Sequence, residues 1–535
     1  MKLSFFGADQ CVTGSCHCLE VNGKKILIDC GLQQGRDEVD NSSLPFHAGE
    51  IDFVLVTHAH IDHSGRIPML LKQGFQGRIF ATRLTAQLLD IMLQDSAHIQ
   101  ESDAEYQNRK NLRAGRPTVE PLYTVEDAQR VREFLTTCEY GEKVDLCEGV
   151  SMECIDAGHL LGSASMKLTL TENGETRTIV FSGDIGNVDQ PIIRDPQFFH
   201  EADFVVMEST YGNRNHTEVW SYTDELAQII DETLGKGGNV VIPSFAVGRT
   251  QELLYFIRQI KDENLVKSVP NFDVYVDSPL SKAATTIFCG DLRGYLDEEA
   301  VALVKDGTHM FNFPGLHLTE TVDESKNLNL DPSPKVIISA SGMCDAGRVR
   351  HHLKHNLWRP ECLVLFVGYQ AVGTLGRALH DGAKSVKLFG EEVNVQAEIS
   401  WLPGVSGHAD KDGLIAWLKG FSKKPGMVFV NHGDPKSCES FTACLKNELG
   451  YNAFAPYSGT SFDLTEGKFI SITEGKPVSP EKNVCSERSS SPLYRELVAA
   501  AETLLAAVKK CEGRPNKLLR SYIDKIKNLT DYIKK

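Results

Sequence analysis

The segment VTHAHIDHSG, residues 56–65, constrains this chain most, because it crowds three histidines and an aspartate behind a hydrophobic run. Residues 53–56 are all apolar and mostly β-favouring, which predicts a buried strand. In the segment that follows, Ile67, Leu70 and Leu71 recur at helical spacing. The histidines are therefore predicted on a strand-to-helix loop at the carboxyl end of a strand, where α/β folds place their sites.

The residue types in this loop indicate a metal centre. His58, His60 and Asp62 alternate, so in extended backbone they point the same way, and His63 follows as the chain turns. Two imidazoles can bind one divalent ion while an aspartate and a further histidine bind a second. Zinc prefers such ligands, although manganese and iron accept them too. The full HxHxDH spacing disfavours the alternative of a polar loop with incidental histidines.

Composition narrows the class of protein. The 535 residues predict about two to four domains. The formal net charge of -16 argues against sequence-independent coating of nucleic acid but permits a nuclease with a local cationic cleft. No apolar run approaches the roughly 20 residues that span a bilayer, and the N-terminus lacks a signal-peptide core. We therefore expect a cytoplasmic protein without a membrane segment.

A repeated unit follows the metal motif. Each copy pairs an apolar strand with a small-residue loop and a helix, as in NVVIP, SFAVGR and TQELLYFIRQI. This alternation predicts right-handed βαβ units around a parallel sheet. Arg249, Arg348 and Arg377 lie near the loops that lead into helix starts, where phosphate binds readily. Contact with a nucleic-acid backbone and ordinary surface ion pairs remain equally good interpretations of each arginine.

The metal motif and three others resemble the signature of the metallo-β-lactamase fold hydrolases. The resemblance rests on VTHAHIDHSG, then LIDCG with Asp29, AGHLLGS with His159, and FSGDIG with Asp184. It implies an αββα sandwich with zinc at the sheet edge. It also implies that Asp29 supports the metal-binding loop without ligating, that His159 is a ligand, and that Asp184 bridges two metals.

Further motifs resemble the β-CASP nucleases, which carry an inserted domain. Glu208 lies in MESTYG, His408 in SGHADKDGL, and His432 in VFVNHGD. Gly407 stands where this family usually has alanine. A histidine at the position of His432 is similar to the RNA-processing members, and the N-terminal segment is similar to the cleavage-and-polyadenylation endonuclease branch.

The resemblance implies a two-zinc phosphodiesterase acting on single-stranded RNA. One ion would be held by His58, His60, His159 and Asp184, and the other by Asp62, His63, Asp184 and His432. His408, oriented by Glu208, would act as the general acid for the leaving oxygen. Asp184 would thus serve catalysis as well as metal binding. Ser341 and Ser406 are weaker candidates for holding phosphate.

Three other functions stay open. A small-molecule hydrolase of the same fold is disfavoured by the inserted domain, and a DNA nuclease is disfavoured by His432. A non-catalytic RNA-binding scaffold is disfavoured because every metal-ligand position is filled. Internal cleavage and cleavage from the 5′ end both remain open. A homodimer is possible.

The fold expected is thus an αββα sandwich in two parts, residues 1–208 and 395–470. A β-CASP domain with a parallel βαβ sheet is inserted at residues 209–394, and a helical extension follows at 480–535. From residue 481 onward the chain has 12 basic and 7 acidic residues. Apolar spacing predicts two amphipathic helices there, at about 493–508 and 518–533, separated by Gly513 and Pro515.

Overall fold

The computed structural model describes residues 1–34, 41–217, 221–371, 373–402 and 406–475, and in the tail residues 500, 501, 504, 507, 508 and 516–534. The chain divides into two compact units, Met1–Glu474 and Gly475–Lys535. The strands of the first unit are β1 Lys2–Gly7, β2 Cys16–Val21, β3 Lys24–Ile28, β4 Phe53–Leu55, β5 Arg78–Thr82, β6 Leu135–Cys138, β7 Lys143–Cys147, β8 Val150–Asp156, β9 Ala164–Glu172, β10 Glu175–Phe181, β11 Phe204–Met207, β12 Val240–Pro243, β13 Asp273–Val276, β14 Leu316–Leu318, β15 Lys335–Ser339, β16 Leu363–Phe366, β17 Ser385–Leu388, β18 Glu391–Asn394, β19 Glu398–Trp401, β20 Met427–Val430, β21 Ala453–Phe454, β22 Ser461–Asp463 and β23 Lys468–Ser471. Its α-helices are α1 Ile61–Ser64, α2 Ile67–Lys72, α3 Arg83–Arg113, α4 Val125–Arg130, α5 Tyr222–Gly235, α6 Arg249–Asp262, α7 Pro279–Phe288, α8 Glu298–Lys305, α9 Val322–Leu330, α10 Val349–Asn356, α11 Leu375–His380, α12 Lys411–Lys419 and α13 Pro435–Asn447.

Two mixed sheets pack face to face. The first has the order β23-β22-β1-β2-β3-β4-β5-β6 and the second β21-β20-β11-β10-β9-β8-β7. Alternation along β10 shows why both faces are covered: Ile179 and Phe181 enter the core between the sheets, whereas Val180 enters the core on the opposite face. A strand that is buried on both faces needs consecutive apolar residues, and the sequence has such runs in these strands.

Helices cover the outer faces of both sheets. Apolar side chains of α2 and α3 share a core with the first sheet. Leu414 and Trp417 of α12 and Phe441 of α13 share another with the second. This arrangement is the predicted αββα sandwich.

The third sheet is the predicted parallel insertion. Its six strands have the order β14-β13-β15-β12-β16-β19, and every neighbouring pair is parallel. The last strand, β19, comes from the segment that the sequence analysis assigned to the closing part of the sandwich. The closing segment therefore completes the inserted sheet before it returns to the second sheet through β20. The domain boundaries themselves remain predictions.

Strand direction sets where the site lies. Strands β10, β11 and β20 are parallel neighbours, so their carboxyl ends share one edge of the second sheet. Asp184, Glu208 and His432 follow directly after these three strands. His58 follows β4 of the facing sheet in the same way. The topology therefore delivers four separate segments to one edge.

The second unit contains the helix α14, Asn516–Lys534, which agrees with the second helix predicted for the tail. The first tail helix, at about 493–508, falls almost entirely outside the described residues. Among the helices of the described residues, none has an apolar stretch long enough to cross a membrane.

A buried carboxylate connects elements of the inserted domain through hydrogen bonds. Asp277, which follows β13, is fully buried and accepts hydrogen bonds from His352 Nε2 at 2.6 Å and Arg348 Nη1 at 2.7 Å. The hydroxyls of Ser325 and Thr319 donate to the same carboxylate. Burial alone would raise the pKa of Asp277, but these donors outweigh it and hold the pKa well below the usual range.

We predict that Asp277→Asn lowers the free energy of unfolding by about 3 kcal/mol, because the buried donors lose a charged partner. Since the folded pKa is depressed, this stabilisation is complete above about pH 4 and is lost as the pH falls below it. Urea denaturation near neutral pH measures the loss. Asp273→Asn, at the start of β13, is the matched control: loss of its half-exposed pair with His317 should cost at most about 1 kcal/mol. Equal effects of the two substitutions would refute the assignment.

Candidate active site

The histidine loop turns sooner than its spacing predicts. His60 is the N-cap of α1, so Asp62 and His63 lie on a single helical turn. The expectation that His58, His60 and Asp62 share one direction in extended backbone was therefore wrong for Asp62. The turn instead sends Asp62 and His63 to a second cluster, separate from the one that contains His58 and His60.

The first cluster joins His58, His60, His159 and Asp184, whose ligand atoms all lie within 4.8 Å of one another. His60 Nδ1 lies 3.0 Å from Nε2 of His58 and 3.2 Å from Nε2 of His159. Asp184 Oδ2 is 3.4 Å from Nε2 of His58. Burial lowers the pKa of His58 and His159 well below the usual range, which favours the neutral imidazole that binds metal.

The second cluster joins Asp62, His63 and His432. Nε2 of His63 and Nε2 of His432 lie 2.9 Å apart, and Asp62 Oδ2 is 3.5 Å from the latter. The other oxygen of Asp184, Oδ1, approaches this cluster, at 3.2 Å from His63 Nε2 and 3.6 Å from His432 Nε2. One carboxylate thus faces both clusters.

The donor set fits two divalent cations. Within the described residues, the buried Oδ1 of Asp184 has no hydrogen-bond partner. Ring nitrogens that converge at about 3 Å present lone pairs to one another when the rings are neutral, which costs free energy unless a cation lies between them. Histidine nitrogens with carboxylate oxygens are the ligands zinc prefers.

Asp29 holds the loop from behind. Its carboxylate accepts from the backbone N–H and hydroxyl of Thr57, at 2.8 and 2.9 Å, and from His63 Nδ1 at 2.7 Å. Because His63 donates from Nδ1 to Asp29, Nε2 is the nitrogen that faces the second cluster. Thr57 also contacts His58 Nδ1 at 3.1 Å, a supporting role that the sequence analysis missed although Thr57 lies inside the motif.

Gly407 supports His159 on the opposite side. Its carbonyl accepts a hydrogen bond from His159 Nδ1 at 2.6 Å, which leaves Nε2 facing the first cluster. A Cβ at this position would lie 3.3 Å from His159 Cε1, a tight contact that glycine avoids.

His408 and Glu208 form a pair at the edge of the first cluster. His408 Nδ1 lies 3.1 and 3.2 Å from the two oxygens of Glu208 and 4.0 Å from Asp184 Oδ2. Glu208 is buried and also accepts the backbone N–H groups of Ile185 and Thr210, so its position is fixed. Burial lowers the pKa of His408, but Glu208 and Asp184 outweigh that effect and raise it to about 9.

The phosphate candidates separate into two groups. The guanidinium of Arg249 pairs with Glu252 on its own helix, and that of Arg348 pairs with Asp277, so both serve contacts inside the insertion. Ser341 contacts the backbone of its own loop. Arg377 and Ser406, by contrast, line one cavity, and Ser406 Oγ accepts from the backbone N–H of His408 at 3.2 Å. All five assignments remain predictions.

Comparisons with known proteins identify the family of this chain. Residues 18–201 match a metallo-beta-lactamase superfamily domain, residues 250–379 a Beta-Casp domain, and residues 392–456 a Zn-dependent metallo-hydrolase RNA specificity domain. The chain is 38% identical over 435 residues to Ribonuclease TTHA0252 of Thermus thermophilus, covering 81% of this chain and 93% of that protein. This chain belongs to the β-CASP family of metallo-β-lactamase fold proteins.

Two further relatives of this β-CASP chain come from archaea. An RNase J-like protein of Methanocaldococcus jannaschii is 30% identical over 464 residues, covering 86% of this chain and 98% of the relative. Transcription termination factor FttA of Methanosarcina mazei is 28% identical over 466 residues, covering 84% and 69%.

We predict that Asp29→Ala weakens zinc binding by about 10- to 100-fold, because His63 and Thr57 lose the acceptor that orients them. Competition with a chromophoric chelator measures the affinity. Asp52→Ala is the control, since Asp52 pairs with Lys24 in the partly exposed part of the same sheet and should leave affinity unchanged. An unchanged affinity in the Asp29 variant would rule out this supporting role.

Proposed function

We propose that this chain is a metal-dependent ribonuclease that hydrolyses phosphodiester bonds of single-stranded RNA with two zinc ions. The observation that carries the proposal is that the Asp184 carboxylate lies between two clusters of histidine and aspartate side chains, with His408 and Glu208 beside it. The ribonuclease relatives and the match to an RNA specificity domain support RNA as the substrate.

In this proposal each cluster binds one metal ion. His58, His60, His159 and Asp184 would hold one ion, and Asp62, His63, Asp184 and His432 the other. Bound ions would supply Lewis acidity, which neutralises charge on a phosphate and acidifies water. We predict that zinc is the resident metal and that the protein is cytoplasmic. Whether the chain forms a homodimer is to be measured.

We propose that His408 donates a proton to the leaving oxygen. Its Nδ1 faces Glu208, which leaves Nε2–H to protonate the leaving oxygen. Burial lowers the pKa of His408, but the Glu208 carboxylate makes the largest contribution to raising it, which favours the protonated imidazole. The side chain retains 22% exposure, so a substrate atom can reach it. Glu208 acts on the reaction through His408 and is a positioning residue.

We predict that Asp184→Asn abolishes detectable RNA cleavage and lowers bound metal, because one carboxylate faces both clusters. The assay uses end-labelled single-stranded RNA with a 5′ monophosphate or a 5′ hydroxyl, with metal quantified in parallel. Asp189→Asn is the matched control: Asp189 is exposed, lies five residues away, and has a positive φ that asparagine tolerates.

The same assay separates the competing functions. A ladder of products indicates internal cleavage, whereas release of mononucleotides from one end indicates an exonuclease. Cleavage of DNA of the same sequence at an equal rate would favour the DNA nuclease. Intact RNA with fully metallated wild-type protein would contradict the ribonuclease and favour a small-molecule hydrolase or a scaffold.

We predict that His408→Ala slows RNA cleavage by about 100- to 10,000-fold, because the leaving oxygen loses its proton donor. Hydrolysis of bis(p-nitrophenyl) phosphate should fall far less, since nitrophenolate leaves without protonation. Glu208→Gln should reproduce the same leaving-group dependence more weakly. Equal losses on both substrates would mean that His408 maintains the structure of the site and does not act as an acid.

A further inference from the structure

An aromatic cavity opens next to His408. It has a volume of about 210 Å³, and its lining includes Tyr211, Tyr369, Arg377, Trp401 and Ser406. The ring of Tyr211 lies 6.2 Å from that of His408, centroid to centroid. The hydrogen bond between Ser406 Oγ and the backbone N–H of His408 gives a second connection to the catalytic site.

The inserted sheet places the large aromatic side chains of this cavity. Strands β16 and β19 are parallel neighbours, with Phe366 paired to Trp401 at their carboxyl ends. Trp401 is the last residue of β19, and Tyr369 lies in the loop that follows β16. Both belong to the edge of a parallel sheet where ligands usually bind.

These aromatic side chains remain open to solvent. Trp401 is 55% exposed and Tyr369 is 51% exposed, although both line a concave surface. The His380 ring packs on Trp401 with 4.9 Å between ring centroids, and Gln370, the residue after Tyr369, is anchored because its Nε2 donates to the carbonyl of Gly342 at 3.1 Å. Exposed, restrained aromatic rings in a concave surface mark a binding site better than isolated surface residues do.

The size and lining of the cavity indicate which class of ligand it can bind. Its volume is below the roughly 300 Å³ at which sites for drug-sized molecules begin, so it suits one ring system. Aromatic side chains with an adjacent arginine are the combination that stacks bases of single-stranded nucleic acid. Arg377 is held toward Asp381 by a contact of 2.8 Å from its Nε, which fixes the guanidinium at the cavity wall.

We propose that this cavity binds one nucleobase of single-stranded RNA, from a nucleotide close to the scissile phosphate, by stacking on Trp401 and Tyr369. The inference rests on the proposed ribonuclease function and adds a subsite to it. Stacking makes the subsite tolerant of base identity, because every base has a π face. It also excludes rigid duplexes, whose bases are already stacked on one another.

The test combines aromatic substitutions with abasic substrates. Single-stranded RNA oligonucleotides each lack one base, and the missing position moves along the chain. With wild-type protein, one position should raise KM by about tenfold, since loss of one stacked base costs about that much affinity. Trp401→Ala should raise KM for intact RNA by a similar factor and should be insensitive to the abasic position. Trp401→Phe should restore most of the affinity and the positional effect.

Two controls distinguish the possible failures. Trp358→Ala removes an equally exposed tryptophan, 56% exposed, that is not among the cavity-lining residues, and should leave KM unchanged. Tyr369→Ala tests the cavity independently if the Trp401 variant fails to fold. Cleavage with no coupling between base removal and either aromatic substitution would overturn the subsite and leave the ribonuclease intact. Absence of RNA cleavage by wild-type protein would overturn the proposed function itself.

Discussion

The site depends on one buried carboxylate among histidines. Asp184 is almost fully buried, and four imidazoles from three segments of the chain lie around it. Burial alone would raise the pKa of Asp184, but His432, His63 and their neighbours hold it well below the usual range. Each oxygen of this buried carboxylate faces a different cluster, an arrangement that suits a ligand shared by two cations.

The fold brings those segments together at one edge of the sandwich. Strands β10, β11 and β20 end at one edge, so Asp184, Glu208 and His432 reach the site through short connections. The chain leaves the inserted sheet beside the same edge, so that Trp401 and Ser406 line one cavity and Ser406 contacts His408. The predicted metal ligands, the proposed proton donor and the aromatic cavity thus come from both sheets of the sandwich and from the insertion. A long substrate can contact all three, whereas a small molecule needs only the first.

Much of this could be predicted from the sequence, for physical reasons. Apolar runs of four residues predicted the buried strands, and the alternation of strand, loop and helix predicted the parallel insertion. The motif HxHxDH predicted a metal centre because such spacing has few other uses. The ligand sets came from family resemblance, since nothing in the sequence alone places His159 or His432 beside His58. The structure brings these residues together, and their roles await measurement.

Other features depend on tertiary contacts that no local pattern encodes. Asp62 shares its spacing with His58 and His60, yet a helical turn that begins at His60 redirects it. Arg348 looks like a phosphate ligand until Asp277, 71 residues away, is seen to pair with it. Strand β19 comes shortly before the segment that contains His408 and was therefore assigned to the sandwich; only its pairing with β16 shows that it belongs to the inserted sheet.

The most direct test of the central claim is a crystal structure of the zinc-loaded wild-type protein with anomalous data collected on both sides of the zinc absorption edge. Two anomalous peaks are expected, one on each side of the Asp184 carboxylate. The first should lie among His58, His60 and His159, and the second among Asp62, His63 and His432. A single peak, or peaks that avoid Asp184, would contradict the assignment of this carboxylate to two metals.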